Sequence, residues 1–125
     1  MTKGQLAKSN FESGMNCAQA VVLAFQKEMG LDELTLKKLI IGFGGGFGRQ
    51  RLVCGAVCGM TLVLSYLKSD GKDKLAIYAV IQKACQEVSE KIGSIICSQL
   101  MNSNKTPCAD ICQIVADITD KYLSL

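Results

Sequence analysis

Residues 52–67, LVCGAVCGMTLVLSYL, form the most hydrophobic stretch of the chain. A helix of about sixteen residues is short for a bilayer span and has a suitable length for a helix buried inside a protein. The stretch is apolar on nearly every side, which predicts that it forms the central helix of the fold. We expect the other segments to pack around it.

Five further segments carry apolar residues at helical spacing or end at typical helix-stop signals. Their predicted bounds are Asn16–Met29, Leu34–Ile41, Asp73–Lys91, Ile95–Met101 and Pro107–Tyr122. No linker, repeat or low-complexity segment separates them. The sequence therefore predicts an all-α protein, with residues 1–125 forming a single-domain bundle of five or six helices around a buried central helix.

Composition argues against several classes of function. Of the 125 residues, 49% are apolar and 20% are charged, and the net charge of +3 is dispersed. No block of Lys and Arg is interleaved with aromatic residues, so nucleic-acid binding is not expected. The first residues, Met1–Gln5, lack the pattern of a signal peptide, and no segment suits a membrane span. We expect a cytoplasmic protein that binds neither nucleic acid nor membranes.

The chain contains seven cysteines and no histidine. In a reducing compartment, this density of cysteine favours metal binding or redox chemistry over structural disulfides. Two or three of the seven are expected to be packing residues, because free cysteine is often buried as a small apolar side chain. The absence of histidine excludes Cys-His nucleophile pairs, Ser-His-Asp triads, mixed Cys/His zinc sites and Cys-x-x-Cys-His haem attachment.

Cys54 has the strongest local signals of a reactive thiol. It is expected in the first turn of the central helix, where the helix dipole favours an anion, and Arg49 and Arg51 lie just before it. The glycine-rich segment 42–48 precedes these arginines. It lacks the spacing of a nucleotide-binding loop, so we expect its glycines to serve a tight turn and a close backbone approach.

Spacing alone suggests one set of metal ligands. Cys54 with Cys58, and Cys108 with Cys112, form two Cys-x-x-x-Cys pairs on predicted helices. Residues four apart share a helix face, so both sulfurs of a pair can bind one metal. The two pairs together outline a four-thiolate site for zinc or an iron–sulfur cluster.

Several motifs resemble a known family. The segments are Gly14–Val21 (GMNCAQAV), Gly44–Arg49 (GGGFGR), Cys54–Gly59 (CGAVCG), Ile96–Leu100 (ICSQL) and Cys112–Val115 (CQIV). They resemble, in order, the motifs of the C_GCAxxG_C_C family, whose members are regarded as redox-active because of their cysteines. The resemblance covers about residues 10–122.

The resemblance implies a different set of site residues. Its four cysteines fall on Cys17, Cys54, Cys97 and Cys112. Three cysteines are then extra, with Cys58 and Cys108 as reserve ligands and Cys85 as an incidental thiol.

A related cysteine domain occurs in split-Soret cytochrome c, where it is associated with an iron–sulfur cluster and a dimer. The resemblance thus implies a two-iron, two-sulfur cluster held by four thiolates from four separate helix starts, together with a homodimer and a redox partner protein. The haem-binding part is missing here.

Three hypotheses follow. The first is an iron–sulfur protein for electron transfer or sensing. The second is a thiol–disulfide redox protein in which Cys54 is the catalytic, attacking thiolate. The third is a structural or zinc-binding helical adaptor whose cysteines serve packing or bind zinc, which is the less favoured cofactor.

Overall fold

The computed structural model describes all residues, 1–125, and is built from helices. The nine α-helical segments are α1 (Lys3–Glu12), α2 (Cys17–Ala24), α3 (Gln26–Met29), α4 (Glu33–Ile40), α5 (Gly44–Phe47), α6 (Gly55–Lys68), α7 (Lys74–Ile92), α8 (Cys97–Ser103) and α9 (Cys108–Leu123), and a 3₁₀ helix, η1 (Ile41–Phe43), joins α4 to α5. The only extended pairing is an isolated antiparallel bridge between Val53 and Ile96. The predicted all-α class is confirmed.

The structure has more helical segments than the five or six predicted. The predicted helix Asn16–Met29 is divided at Phe25, whose φ of −107° and ψ of 17° separate α2 from α3. The glycine-rich segment contributes the single short turn of α5. None of the helices combines the length and apolar character that a membrane crossing requires.

Helix α1 was not among the predicted helices. It buries only Gly4 and Ala7, so the helical spacing of its apolar residues is weak. Its N-terminus is instead specified by a capping box, in which Thr2 Oγ1 accepts a hydrogen bond from the Gln5 amide at 3.0 Å and Gln5 Oε1 accepts one from the Thr2 amide at 2.9 Å. The Gly4 amide donates to Asp117 Oδ1 at 2.8 Å, which ties α1 to α9.

The helix buried most completely is α2. Seven of its eight residues, Ala18 to Ala24, are buried. Helix α6 buries one side against the core and exposes the other, where Tyr66 is 53% exposed. It begins at Gly55 and not at Leu52, because the preceding residues are extended and pair with the segment before α8.

Helices α2 and α6 approach each other closely at Gly59. A Cβ atom at this position would lie 2.9 Å from the carbonyl oxygen of Ala18 and 3.3 Å from the Cβ atom of Val21. Only glycine fits here without displacing the backbone of α2. The apolar residues of α2 therefore pack directly on those of α6 and form the centre of the core.

We predict that Gly59→Ala destabilises the protein. The added methyl group meets a backbone carbonyl that cannot rotate away, and overpacking of this kind costs roughly 1–3 kcal/mol, against a gain of up to about 1 kcal/mol in helix propensity. The free energy of unfolding from urea titration measures the loss. Gly42→Ala is the control, because no atom lies within 4 Å of a Cβ atom there. Equal stability of the two variants would contradict the close packing.

Candidate functional site

Four cysteines line one cavity of about 440 Å³. Each stands at the start of a helix: Cys17 is the first residue of α2, Cys54 immediately precedes α6, Cys97 is the first residue of α8 and Cys108 is the first residue of α9. Three of the four cysteines implied by the family resemblance are thus brought to one place. The fourth, Cys112, does not line the cavity.

The starts of α6 and α8 are held together by backbone hydrogen bonds. The Cys54 amide donates to the Ile95 carbonyl at 2.8 Å, and the Cys97 amide donates to the Leu52 carbonyl at 2.6 Å. These bonds flank the Val53–Ile96 bridge. They place Cys54 opposite Ile95 and Cys97 opposite Leu52, so the two cysteines lie diagonally across the bridge although they are 43 positions apart in the sequence.

Glycine residues make room for two of the cavity cysteines. A Cβ atom at Gly55 would lie 2.5 Å from Cys17 Sγ, and one at Gly46 would lie 2.8 Å from the Cβ atom of Cys97. Cys17 thus lies against the first turn of α6, and Cys97 lies against the glycine-rich segment. The close backbone approach expected of this segment is present.

The glycine-rich segment follows an uncommon left-handed path. Five consecutive residues, Gly45 to Arg49, have φ between 61° and 74°. Such a path suits glycine, but Phe47 and Arg49 also adopt it. The turn brings Arg49 and Arg51 to the cavity, where Arg51 Nη1 lies 3.8 Å from Cys97 Sγ.

The cavity favours negative charge. Arg49 and Arg51 are among its lining residues, and no carboxylate lines it. Helices α2, α6 and α9 also begin there, so the positive ends of three helix dipoles point towards the same space. An anionic group bound among the cysteines would be stabilised by both effects.

The predicted lowering of the Cys54 pKa is wrong for the metal-free thiol. Cys54 is only 6% exposed, and this burial raises its pKa to about 12, with a further contribution from neighbouring Cys17. The amides of Val57 and Ala56 act in the opposite direction but have the smaller effect. Loss of solvent around the sulfur therefore outweighs the helix start and the arginines.

Each of the two Cys-x-x-x-Cys pairs suggested by spacing has only one member at the cavity. Cys54 and Cys108 line the cavity, whereas Cys58 and Cys112 do not. Cys58 is half-buried, and its pKa is raised to about 11, mainly by burial. Cys112 is fully buried one turn beyond Cys108, with its Sγ 3.9 Å from the Cys17 carbonyl oxygen. Burial, followed by the charge of Cys17, also raises the pKa of Cys112.

All seven cysteines are free thiols in the structure. Cys85 lies on α7, away from the cavity lining. No three ligand-type side chains are arranged around a single point as they would be around one metal ion.

Cys108 is the cavity residue that the family resemblance left out. The sequence does carry a signal for it, because Pro107 marks the start of α9 and therefore puts Cys108 at a helix start, as with the other cavity cysteines.

The fold and the site define a class of small all-α protein with a cysteine-lined, electropositive cavity where several helices begin. The chain belongs to the C_GCAxxG_C_C family: the family description "Putative redox-active protein (C_GCAxxG_C_C)" matches residues 15–122. The resemblance seen in the sequence is thereby confirmed. Comparison with curated proteins and with solved structures gives no match.

We predict that the metal-free protein loses stability as the pH rises above about 9. An unfolded thiol ionises near its ordinary pKa of 9.0, whereas buried Cys54 keeps its proton until about pH 12. Between these values the folded state binds more protons than the unfolded state, so each such thiol lowers the free energy of unfolding by up to about 1.4 kcal/mol per pH unit. Urea titration under reducing conditions at about pH 8 and about pH 10 measures this effect. Cys54→Ala should show a smaller decrease, and an unchanged decrease would contradict the assignment.

Proposed function

We propose that this redox-family protein binds an iron–sulfur cluster, most simply a two-iron, two-sulfur cluster, and uses it for electron transfer or sensing. The supporting observation is the convergence of Cys17, Cys54 and Cys97 on a cavity that contains two arginines and no carboxylate. Family membership supports the broader part of this proposal, a redox role for the cysteines.

The chemistry of the donor residues fits such a cluster. Cysteine thiolates are the usual protein ligands of iron–sulfur clusters, and this chain has cysteines at the cavity and no histidine anywhere. A bound cluster would supply a redox couple with a net negative charge. Arg49, Arg51 and the starts of three helices would stabilise that charge.

Individual residues have distinct roles in this proposal. Cys17, Cys54 and Cys97 supply three thiolates from three elements, and the sequence resemblance implies a fourth from Cys112 of α9. Because binding requires thiolates, each ligand would release its proton to solvent. Iron, when bound, would offset the cost of burying the thiolates. Arg51 orients the sulfur of Cys97 and supplies positive charge beside it.

The structure gives less support to the other two hypotheses. A thiol–disulfide mechanism that starts at Cys54 needs an accessible thiolate, and Cys54 is 6% exposed with its pKa raised to about 12. In a purely structural role, cysteines are packed by neighbouring side chains, whereas Cys17 and Cys108 are partly or fully exposed at the cavity. A redox partner protein and a homodimer remain part of the proposal, as the family resemblance implies.

The proposal predicts an iron-containing protein when oxygen is excluded. Purification under anaerobic conditions, or reconstitution with ferrous iron and sulfide, should give a coloured protein. It should contain iron and sulfide in equal amounts, as in a two-iron, two-sulfur cluster. Iron and sulfide analysis with a visible spectrum measures this. Cys17→Ser should lose the colour, and Cys85→Ser, outside the cavity, should retain it. A colourless, iron-free wild-type protein that also resists reconstitution would rule the cluster out.

We also predict that Arg51→Gln lowers the reduction potential of the cluster by tens of millivolts. Reduction adds negative charge, and the substitution removes a cation whose Nη1 lies 3.8 Å from Cys97 Sγ. Redox titration followed by visible absorption measures the shift. Lys121→Gln removes the same charge far from the cavity, in the last turn of α9, and should leave the potential unchanged. Equal shifts in both variants would show that Arg51 has no specific role.

A further inference from the structure

We propose that Cys58 and Cys85 form a second redox site, a thiol pair that a low-molecular-weight disulfide oxidises to a disulfide bond between α6 and α7. Neither cysteine lines the cavity, and the family resemblance counts both as extra residues. This inference goes beyond the proposed cluster and does not depend on it.

Helices α6 and α7 form an antiparallel hairpin. They pack against each other and are joined by a short loop, residues 69–73. A cavity of about 290 Å³ lies between them and is lined by Thr61 and Ser65 from α6 and by Ile77, Tyr78, Ile81 and Gln82 from α7. Because the helices run in opposite directions, Ser65 lies level with the first two α7 residues of this lining and Thr61 with the last two.

The same register places Cys58 and Cys85 opposite each other. Cys58 precedes Thr61 by three residues, and Cys85 follows Gln82 by three, so each lies about one turn beyond the cavity in the same direction along the hairpin. Packed helix axes are about 8–10 Å apart and each Cα atom lies about 2.3 Å from its axis. Facing positions therefore come within the roughly 4.4–6.8 Å between Cα atoms that a disulfide requires.

The surroundings of the two thiols suit a slow, stable disulfide. Both side chains are half-buried, so a small molecule can reach the sulfurs. Burial, followed by neighbouring Cys17 and Cys85, raises the pKa of Cys58 to about 11, which agrees with the proximity of Cys85. Burial also raises the pKa of Cys85. Thiols of high pKa are poor leaving groups, so another thiolate displaces a disulfide between these two sulfurs slowly.

The chemistry consists of two successive thiol–disulfide exchanges. The thiolate of one cysteine attacks a sulfur of the small disulfide, whose S–S bond breaks. One half stays on the protein as a mixed disulfide, and the other half leaves and takes up a proton. The thiolate of the second cysteine then attacks the protein sulfur of the mixed disulfide, forms the bond between α6 and α7 and releases the second half as a thiol. The protein pair loses two electrons and two protons, and the small disulfide gains them.

Disulfide mapping tests this proposal. The full-length protein is incubated with 2-hydroxyethyl disulfide at mildly alkaline pH, the remaining thiols are alkylated, and a tryptic digest is analysed by mass spectrometry. Trypsin releases peptide 52–68, which contains Cys54 and Cys58, and peptide 84–91, which contains Cys85. We expect the two peptides to be linked in the wild type and the link to be lost in Cys58→Ser. Cys54→Ser is the matched control, because it removes the other cysteine of the same peptide and should keep the link.

Two internal measurements make the result decisive. The reagent is increased until Cys108, an exposed thiol, is modified, which shows that oxidation has taken place. Fragment ions of the linked wild-type peptide distinguish Cys54 from Cys58 even when a variant fails to fold. The proposal is overturned when Cys58 and Cys85 are found only as alkylated thiols or mixed disulfides, or when Cys58 is linked to Cys17 instead. Iron content enters neither measurement, so absence of a cluster leaves this test unaffected.

Discussion

The close approach of α2 and α6 is the constraint on which the rest of the structure depends. It requires glycine at two successive positions of one face of α6. Gly59 lets the α6 backbone approach the Ala18 carbonyl, and Gly55 leaves space for the Cys17 sulfur. The same contact that builds the core thus sets the position of a cavity thiol. A larger residue at either position would change packing and site together, because both use the space of a missing side chain.

The second constraint is the pairing of two short extended segments that are distant in sequence. Residues 52–54 and 95–97 exchange backbone hydrogen bonds on both sides of the Val53–Ile96 bridge. In an otherwise helical protein, this pairing aligns the starts of α6 and α8. The left-handed turn before Arg49 then adds positive charge to the same region. Helix starts and arginines are therefore concentrated by backbone geometry, and not by proximity along the chain.

Much of this arrangement could be predicted, for identifiable reasons. Apolar spacing and stop signals are local, so they indicated five or six helices and the all-α class. Helix α1 was missed because it buries only two small residues, although the Thr2–Gln5 capping box was readable. The cavity itself was not predictable from spacing, since it depends on which helix starts meet. For the same reason spacing paired Cys108 with Cys112, whereas burial places them at different depths.

The raised pKa of Cys54 and the positive charge at the cavity can be explained together. A single buried thiolate pays a large desolvation penalty, so in the metal-free protein the thiol keeps its proton despite nearby arginines and a helix start. Those fixed positive groups lie at the cavity lined by four cysteines, and Arg51 Nη1 is 3.8 Å from Cys97 Sγ. They stabilise a centre with several negative charges more than a single thiolate, because the Coulomb energy grows with the charge. This is the physical reason why we propose cluster binding rather than thiol–disulfide exchange at Cys54.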